Sequence, residues 1–489
     1  MLPRPNLDSR SDIPLYQQLS RHFQELIASG ALPAGERLPA TRELAGLLGL
    51  NRTTISAAYE LLETEGLIRG EVGRGSFVTG GKGAVESTPN WDALLRPGSS
   101  VRPPSGSAGM LSFATSRPSE ELFPLDDFRL SCREIMDSAE LPSILQLGSP
   151  GGYEPLRQYL LEGGRREGVV REGDDLLITN GCQQGLDLIR SVLIRSGDRV
   201  VLEDPVYPGL KNLFLQAGAE LSGVPVGPDG IDPDQFERTV GKERPRAVMV
   251  SPNFQNPTGA TIPLSSRERV LRTARQAGAI VIENDIYGAL RYEGGALPTL
   301  KQLDRSGGAI LLRSFSKVAF PGLRVGWVIG PRPFIARLTE AKQLSDLHTD
   351  QFSQAALLRF AQSGRMEKHL ERMLHAGAER LRAVLTACEK HLPRGARFTK
   401  PRGGMNLWVT LPEPLDTSDM LPRAQREGVT YLPGRYFSIS RQHSSALRLS
   451  FAGLRPEQIE RGVGVLGKIF AAELEASRSA GREPALAMV

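Results

Sequence analysis

Six short apolar runs constrain the fold of this chain more than any other feature. They are Leu176–Thr179, Val200–Glu203, Ala247–Ser251, Ile280–Asp285, Ile310–Ser314 and Val325–Ile329. Most are rich in β-branched residues, and stretches with helical periodicity lie between most of them. Runs this short, apolar throughout rather than alternating, read as strands covered on both faces. The intervening helices then read as the crossovers of a mostly parallel sheet. Ligands of such a sheet bind at the carboxyl ends of its strands, so the residues ending these runs are the first candidates for a site. Residues 331–489 add a helix-rich segment and one more strand-like stretch, Met405–Leu411.

At 489 residues the chain is too long for one ordinary core, and two or three domains are expected. No apolar run approaches the ~20 residues of a membrane span, and the N-terminus lacks the apolar core of a signal peptide. Cys132, Cys182 and Cys388 are few and scattered, so neither a disulfide framework nor a metal-ligand spacing is visible. These features predict a cytoplasmic protein with no membrane partner and no metal. Residues 81–110 are rich in Gly, Ser and Pro and read as a linker. Residues 475–489 are polar and alanine-rich and read as a disordered tail.

Residues 10–80 follow a different pattern. Pro14 can occupy the first turn of a helix whose apolar residues, Leu15, Leu19, Phe23, Leu26 and Ile27, repeat at helical spacing. Gly49 suits the tight turn between two further helices, and Asn51 is a good N-cap for the second. In that second helix Ile55, Ala58, Tyr59 and Leu62 form one buried face. Arg52, Thr53 and Thr54 are left near the exposed start, where side chains can approach base edges. Gly66–Gly70 and Gly73–Val78 read as a hairpin with Arg69 and Arg74 near its tip. The ordered set resembles the GntR-type winged helix-turn-helix. The resemblance implies double-stranded DNA as a partner, phosphate or base contact from Arg42 and Arg52, and minor-groove or backbone contact from Arg74. The net charge of +5 does not carry this reading. Residues 1–80 hold eight Arg, no Lys and nine Asp or Glu, so affinity must come from where the arginines stand. One departure is Ala40, where the family usually has a Ser N-cap; the loss costs roughly 1 kcal/mol, and Thr41 could take over part of the role.

Lys317 ends the string Ser314-Phe315-Ser316-Lys317, and Pro321–Trp327 follows. The segment resembles the lysine segment of aminotransferases that use pyridoxal phosphate (PLP). That cofactor requires an amine for a Schiff base, a carboxylate for the pyridine nitrogen, donors for the phosphate and a flat partner for the ring. Lys317 can supply the amine. Asp285, at the end of an apolar strand, is the expected partner of the ring nitrogen. Tyr287 and Asn256 can donate to the ring hydroxyl, and Tyr207 can stack on the ring. Gly181, Cys182 and Gln183, between a strand and a helix, form an anion site of backbone N–H groups, to which Ser314, Ser316 and Arg324 add donors. Arg448 offers a fork for an effector carboxylate. Taken in order, these residues resemble the fold-type I, class I/II aminotransferase pattern over about residues 111–470.

A GntR-type reader linked to an aminotransferase-like domain resembles the MocR family of bacterial transcriptional regulators. The resemblance implies a multidomain chain. A mainly α winged helix-turn-helix at 10–80 is followed at 111–474 by an α/β PLP-dependent transferase fold. That fold has a mixed, mostly parallel sheet and a smaller C-terminal α+β subdomain from about residue 340. It further implies a domain-swapped homodimer, a small amine or amino-acid effector, RNA polymerase as a further partner, and a nucleoid-associated location. A catalytically active aminotransferase with a fused DNA-binding module is the alternative. One position departs from comparable regulators: Gly377 stands where a Tyr is expected.

Overall fold

Two periodicities divide the molecule, a helical one before residue 65 and a strand–helix alternation after residue 174. The computed structural model describes residues 5, 7–8, 11, 13–71, 74–79, 91, 95 and 109–480. The chain divides into two units, Met1–Gly98 and Ser99–Val489. The linker read at 81–110 lies outside the described residues, apart from Trp91, Leu95, Gly109 and Met110. Residues 475–480, read as the start of a disordered tail, continue the last helix, Pro456–Ala480; residues 481–489 lie outside the described residues.

The first unit holds α1 (Leu15–Ala28), α2 (Thr41–Leu48), α3 (Arg52–Thr64) and an antiparallel hairpin of β1 (Ile68–Glu71) and β2 (Gly75–Val78). Leu19, Phe23, Ile55, Ala58, Tyr59 and Leu62 share one core, as their spacing predicts, and Leu44 joins it. Gly49, at φ +66°, ends α2 in the left-handed conformation that favours glycine. The Asn51 side chain accepts from Thr53 N at 3.2 Å and caps α3. Ala40 precedes α2, and no side chain caps that helix, so Thr41 does not take over the cap.

The second unit is built on an eight-stranded sheet. Its strands are β4 (Asp174–Asn180), β5 (Arg199–Asp204), β6 (Glu220–Gly227), β7 (Gly230–Ile231), β8 (Ala247–Val250), β9 (Ile280–Asn284), β10 (Ala309–Ser314) and β11 (Val325–Pro331). The order across the sheet is β4-β11-β10-β9-β8-β5-β6-β7. The central pairs β10–β9, β9–β8, β8–β5 and β5–β6 are parallel, while β11 runs antiparallel to both its neighbours. Alternate residues feed two cores. Leu202, Met249, Ile282 and Leu312 face one side of the sheet, and Val201, Val248, Val281 and Leu311 face the other. The sheet is therefore buried on both faces.

The C-terminal part is a smaller α+β layer. An antiparallel sheet orders β12 (Arg397–Phe398), β13 (Asn406–Thr410), β16 (Ala446–Ser450) and β15 (Leu432–Pro433), covered by the helices Arg365–His391 and Pro456–Ala480. Its core begins later than residue 340. The helix Arg332–Asp346 still packs through Ile335 and Leu338 on the large sheet. The start of the unit also joins the smaller core. β3 (Leu111–Ser112) pairs in parallel with β14 (Val429–Thr430), and Leu111 and Phe113 enter that core. Gly377 has a packing reason. A Cβ there would lie 2.4 Å from the Tyr292 ring, whose hydroxyl donates to Gly404 O at 2.6 Å. Tyr292 thus fills the space a larger residue at 377 would need. Among the described residues, no helix is long and apolar enough to cross a membrane.

Glu203, near the end of β5, is buried and accepts from Ser251 N at 3.1 Å, while its Oε1 has no hydrogen-bond partner among the described residues. Burial pushes its carboxyl from the usual 4.5 to about 8. The folded value lies above the unfolded one, so the unfolded chain ionises first as pH rises. This group's contribution is fully present below about pH 4.5. It is then lost, at up to about 1.4 kcal/mol per pH unit, until about pH 8. Glu203→Gln removes that loss. Thermal unfolding should show the variant gaining on the parent protein as pH rises from about 5 to 8; a gap that does not change with pH would contradict the assignment.

Candidate functional site

A cavity of about 650 Å³ opens at the carboxyl ends of the central strands and is closed on one side by the C-terminal part. Ser251 follows β8, Asn284 ends β9 and Ser314 ends β10. All three line the cavity, because they continue the alternation that places Met249, Ile282 and Leu312 on that face of the sheet. Ile286 and Tyr287 line it from the loop after β9.

One end of the cavity is built for an anion. The helix Gly181–Leu193 starts there, so its first backbone N–H groups are free of helical partners. Cys182 and Gln183 line the wall. Gly181 sits just behind, at φ +73°, and a Cβ there would come 2.4 Å from the Arg324 guanidinium. Only glycine lets Arg324 lie across this helix end. Arg324 Nη1 donates to Ser316 Oγ at 3.3 Å, and Ser314 Oγ donates to Ser316 Oγ at 2.9 Å. A helix N-terminus, two hydroxyls and a guanidinium thus converge. Behind them Asp346 accepts from Asn180 Nδ2 and Gln184 Nε2, both at 2.6 Å, and fixes the turn. The Cys182 thiol donates to Arg313 O at 3.2 Å, and burial pushes it up to about 12, so it stays a neutral thiol at neutral pH.

At the middle of the cavity Lys317 Nζ donates to Ser116 O at 2.6 Å and stands 5.8 Å from the centre of the Tyr287 ring. The Tyr287 hydroxyl lies 3.1 Å from Ser116 Oγ. Burial pushes the Tyr287 phenol up, but the Lys317 ammonium, the Ser116 hydroxyl and Arg448 outweigh it, and the net shift is downward. Tyr207 covers another wall. Gly209 leaves room for its ring, since a Cβ there would lie 2.5 Å from it.

Arg448, on β16, forms the far end. It is 3% exposed and donates to Asn256 Oδ1 at 3.0 Å and to Ala114 O. Its Nε has no partner, and among the described residues no carboxylate pairs with it. Burial lowers its pKa to about 10, which leaves it charged at neutral pH.

Ten of the residues expected around the cofactor and effector line this one cavity: Cys182, Gln183, Tyr207, Asn256, Tyr287, Ser314, Ser316, Lys317, Arg324 and Arg448. Gly181 supports the wall from behind. Asp285 does not line it. Its carboxylate accepts from Asn253 Nδ2 at 2.8 Å and pairs with Arg313 Nε at 3.2 Å, on the opposite side of the sheet from Ile282 and Asn284. The expectation that Asp285 faces a ring nitrogen is corrected by the two-residue period of the strand: the neighbouring Asn284 points into the cavity instead. Ser251, Asn284 and Ser116 are the residues that sequence reasoning missed. Strand parity would have found the first two. Ser116 lies in a coil segment with no sequence signal. The amine, the anion cradle made possible by Gly181, the flat Tyr207 and the Tyr287 hydroxyl fit the chemistry of PLP, while among the described residues no carboxylate lines the cavity.

The starts of α2 and α3 are exposed. Arg42, Arg52 and Thr53 are exposed there, and Thr54 is half-buried. Among the described residues neither Arg42 nor Arg52 has an ion-pair partner. Arg74, in the hairpin, is held by Glu71 at 2.9 Å, and Glu71 also pairs with Arg69 at 2.8 Å. The hairpin's positive charge is therefore partly balanced within the unit.

Residues 126–466 match the model of the family described as aminotransferase class I and II, and residues 15–78 match that of bacterial regulatory proteins, gntR family. The chain is 37% identical over 364 residues to 2-aminoadipate transaminase of Thermus thermophilus, covering 74% of this chain and 90% of that protein. It is 29% identical over 491 residues to the probable rhizopine catabolism regulatory protein MocR of Rhizobium meliloti, covering 96% of each. The solved structure of Pyrococcus horikoshii kynurenine aminotransferase, in complex with PMP, superposes with a TM-score of 0.75 at 33% identity, covering 80% of this chain and 99% of that one. With a gntR-type reader ahead of it, this chain belongs to the class I and II aminotransferase family and, within it, to the MocR-type regulators.

Proposed function

We propose that this protein is a DNA-binding transcriptional regulator that carries PLP at Lys317. An amine or amino-acid effector, or the cofactor itself, changes how it binds DNA. One observation carries the effector reading: Arg448 is a buried guanidinium with no counter-charge among the described residues, in the same cavity as the Lys317 amine. Leaving such a charge unpaired costs several kcal/mol, and the carboxylate of a small amino acid would supply the missing partner.

Bound PLP supplies an aldehyde carbon that condenses with amines and a ring that withdraws electrons. The chain's own residues do the rest. The N–H groups at the start of the helix Gly181–Leu193, with Ser314, Ser316 and Arg324, would hold the phosphate. Tyr207 would cover the ring, and Tyr287 and Asn256 would serve its hydroxyl. Lys317 would supply the amine that anchors the cofactor, and the Ser116 carbonyl is the present acceptor of that amine. Arg448 turns from Asn256 and Ala114 to the effector carboxylate. If the cavity closes differently around the two states, the reader's affinity for DNA changes by linkage. In the reader, Arg52, Thr53 and Thr54 approach bases or phosphates from the start of α3, Arg42 contacts phosphate, and Arg74 reaches the minor groove or backbone. A homodimer would match two DNA half-sites by symmetry.

Two substitutions test the two halves. Lys317→Ala should abolish the visible absorbance band that appears when the purified protein is loaded with PLP; an unchanged band would rule out Lys317 as the anchor. Arg52→Ala should weaken binding to DNA selected from a random pool by the full-length protein. Loss of one base or phosphate contact, about 1–3 kcal/mol, corresponds to roughly 5- to 150-fold in Kd. Equal affinity in an anisotropy titration would remove Arg52 from the interface.

A further inference from the structure

Among the described residues, the cavity wall contains three cationic side chains, Lys317, Arg324 and Arg448, and no Asp or Glu. This sets it apart from a site built to hold a protonated pyridine, which needs a carboxylate at the ring nitrogen. The nearest candidate in sequence, Asp285, is fixed elsewhere. It is 7% exposed, accepts from Asn253 Nδ2 at 2.8 Å and pairs with Arg313 at 3.2 Å. Asn253 in turn accepts from the fully buried Arg267 at 2.7 Å. Gly288 leaves the room this carboxylate occupies, since a Cβ there would lie 2.3 Å from Asp285 Oδ1. Turning Asp285 into the cavity would reverse the strand's alternation and leave Arg313 with Glu167 as its remaining ion-pair partner.

Asn284 takes the position on the cavity side. Its Nδ2 reaches Ser251 Oγ at a long 3.4 Å, and its buried Oδ1 has no hydrogen-bond partner among the described residues. In either orientation of the amide, one polar atom is left for a ligand. An amide can share a hydrogen bond with a ring nitrogen but carries no charge to hold a proton there. The nearby cations oppose a further positive charge.

Resting on the cofactor reading above, we propose that Asn284, and not Asp285, meets the ring nitrogen of PLP in this protein, and that this nitrogen stays unprotonated at neutral pH. The consequence is selective. Exchange of an effector amine with Lys317 needs only the aldehyde carbon and is retained. Removal of a proton from the effector's α-carbon needs a ring that accepts the electron pair left behind, and an unprotonated ring accepts it poorly. Asn284 thus sets the division between sensing an amine and transferring its amino group.

The test is ¹⁵N NMR of the full-length protein loaded with PLP labelled at the ring nitrogen. The parent protein should show the shift of an unprotonated pyridine. Asn284→Asp should move it to the pyridinium position and speed amino transfer to a keto acid, while Asp285→Asn should leave it where it was. A pyridinium signal in the parent protein that is lost in Asp285→Asn would overturn the proposal, and that comparison does not depend on the Asn284 variant folding. Absence of any visible band on loading would instead overturn the cofactor reading on which the proposal rests.

Discussion

The alternation of side chains along β8, β9 and β10 decides what this protein's cavity contains. These strands are parallel, central and buried on both faces, so each residue has one fixed side. The cavity forms where one face runs out of apolar residues. Met249 gives way to Ser251, Ile282 to Asn284 and Leu312 to Ser314. The other face ends in a separate buried layer in which Glu283 accepts from the backbone of Leu300 and Lys301, and Asp285 balances Arg313. Two polar systems thus lie back to back, one open to a ligand and one closed on itself.

The same separation explains why the cavity is cationic. The carboxylates near it are spent on structure behind the sheet or, as with Asp346, under the helix end. The side chains left facing inward are an amine, two guanidiniums, hydroxyls and amides. Such a set favours a phosphate at one end and a carboxylate at the other. Arg448 shows the imbalance most clearly, because its partners are an amide oxygen and a backbone carbonyl rather than an anion. A protein retains such a charge where a ligand completes it.

Much of this was legible in the sequence because the strongest signals are local. The runs that became β4, β5 and β8 to β11 are short and apolar, and Gly49 and Asn51 mark the turn into α3 by their own backbone and capping chemistry. What was missed depends on neighbours distant in sequence. β6 was not read because Gly223 and Pro225 interrupt it, yet Gly223 is needed there: a Cβ would lie 2.9 Å from the Asp204 side chain. Ser116 reaches Lys317 from 201 residues away. Gly377 stands where an aromatic is expected, because Tyr292, distant in sequence, fills the space. Asp285 was misplaced for a simpler reason: a carboxylate at a strand end attracts attention, while parity, which is also in the sequence, selects its neighbour.

The central claim is that the aminotransferase fold here serves a DNA reader. The most direct measurement is the affinity of the full-length, PLP-loaded protein for its selected DNA, titrated with a panel of amino acids while a keto acid is present to report amino transfer. The account predicts that at least one amine shifts the DNA affinity without multiple turnovers. Sustained turnover with DNA affinity unchanged across the panel would contradict it and make the protein an aminotransferase with an attached DNA-binding module.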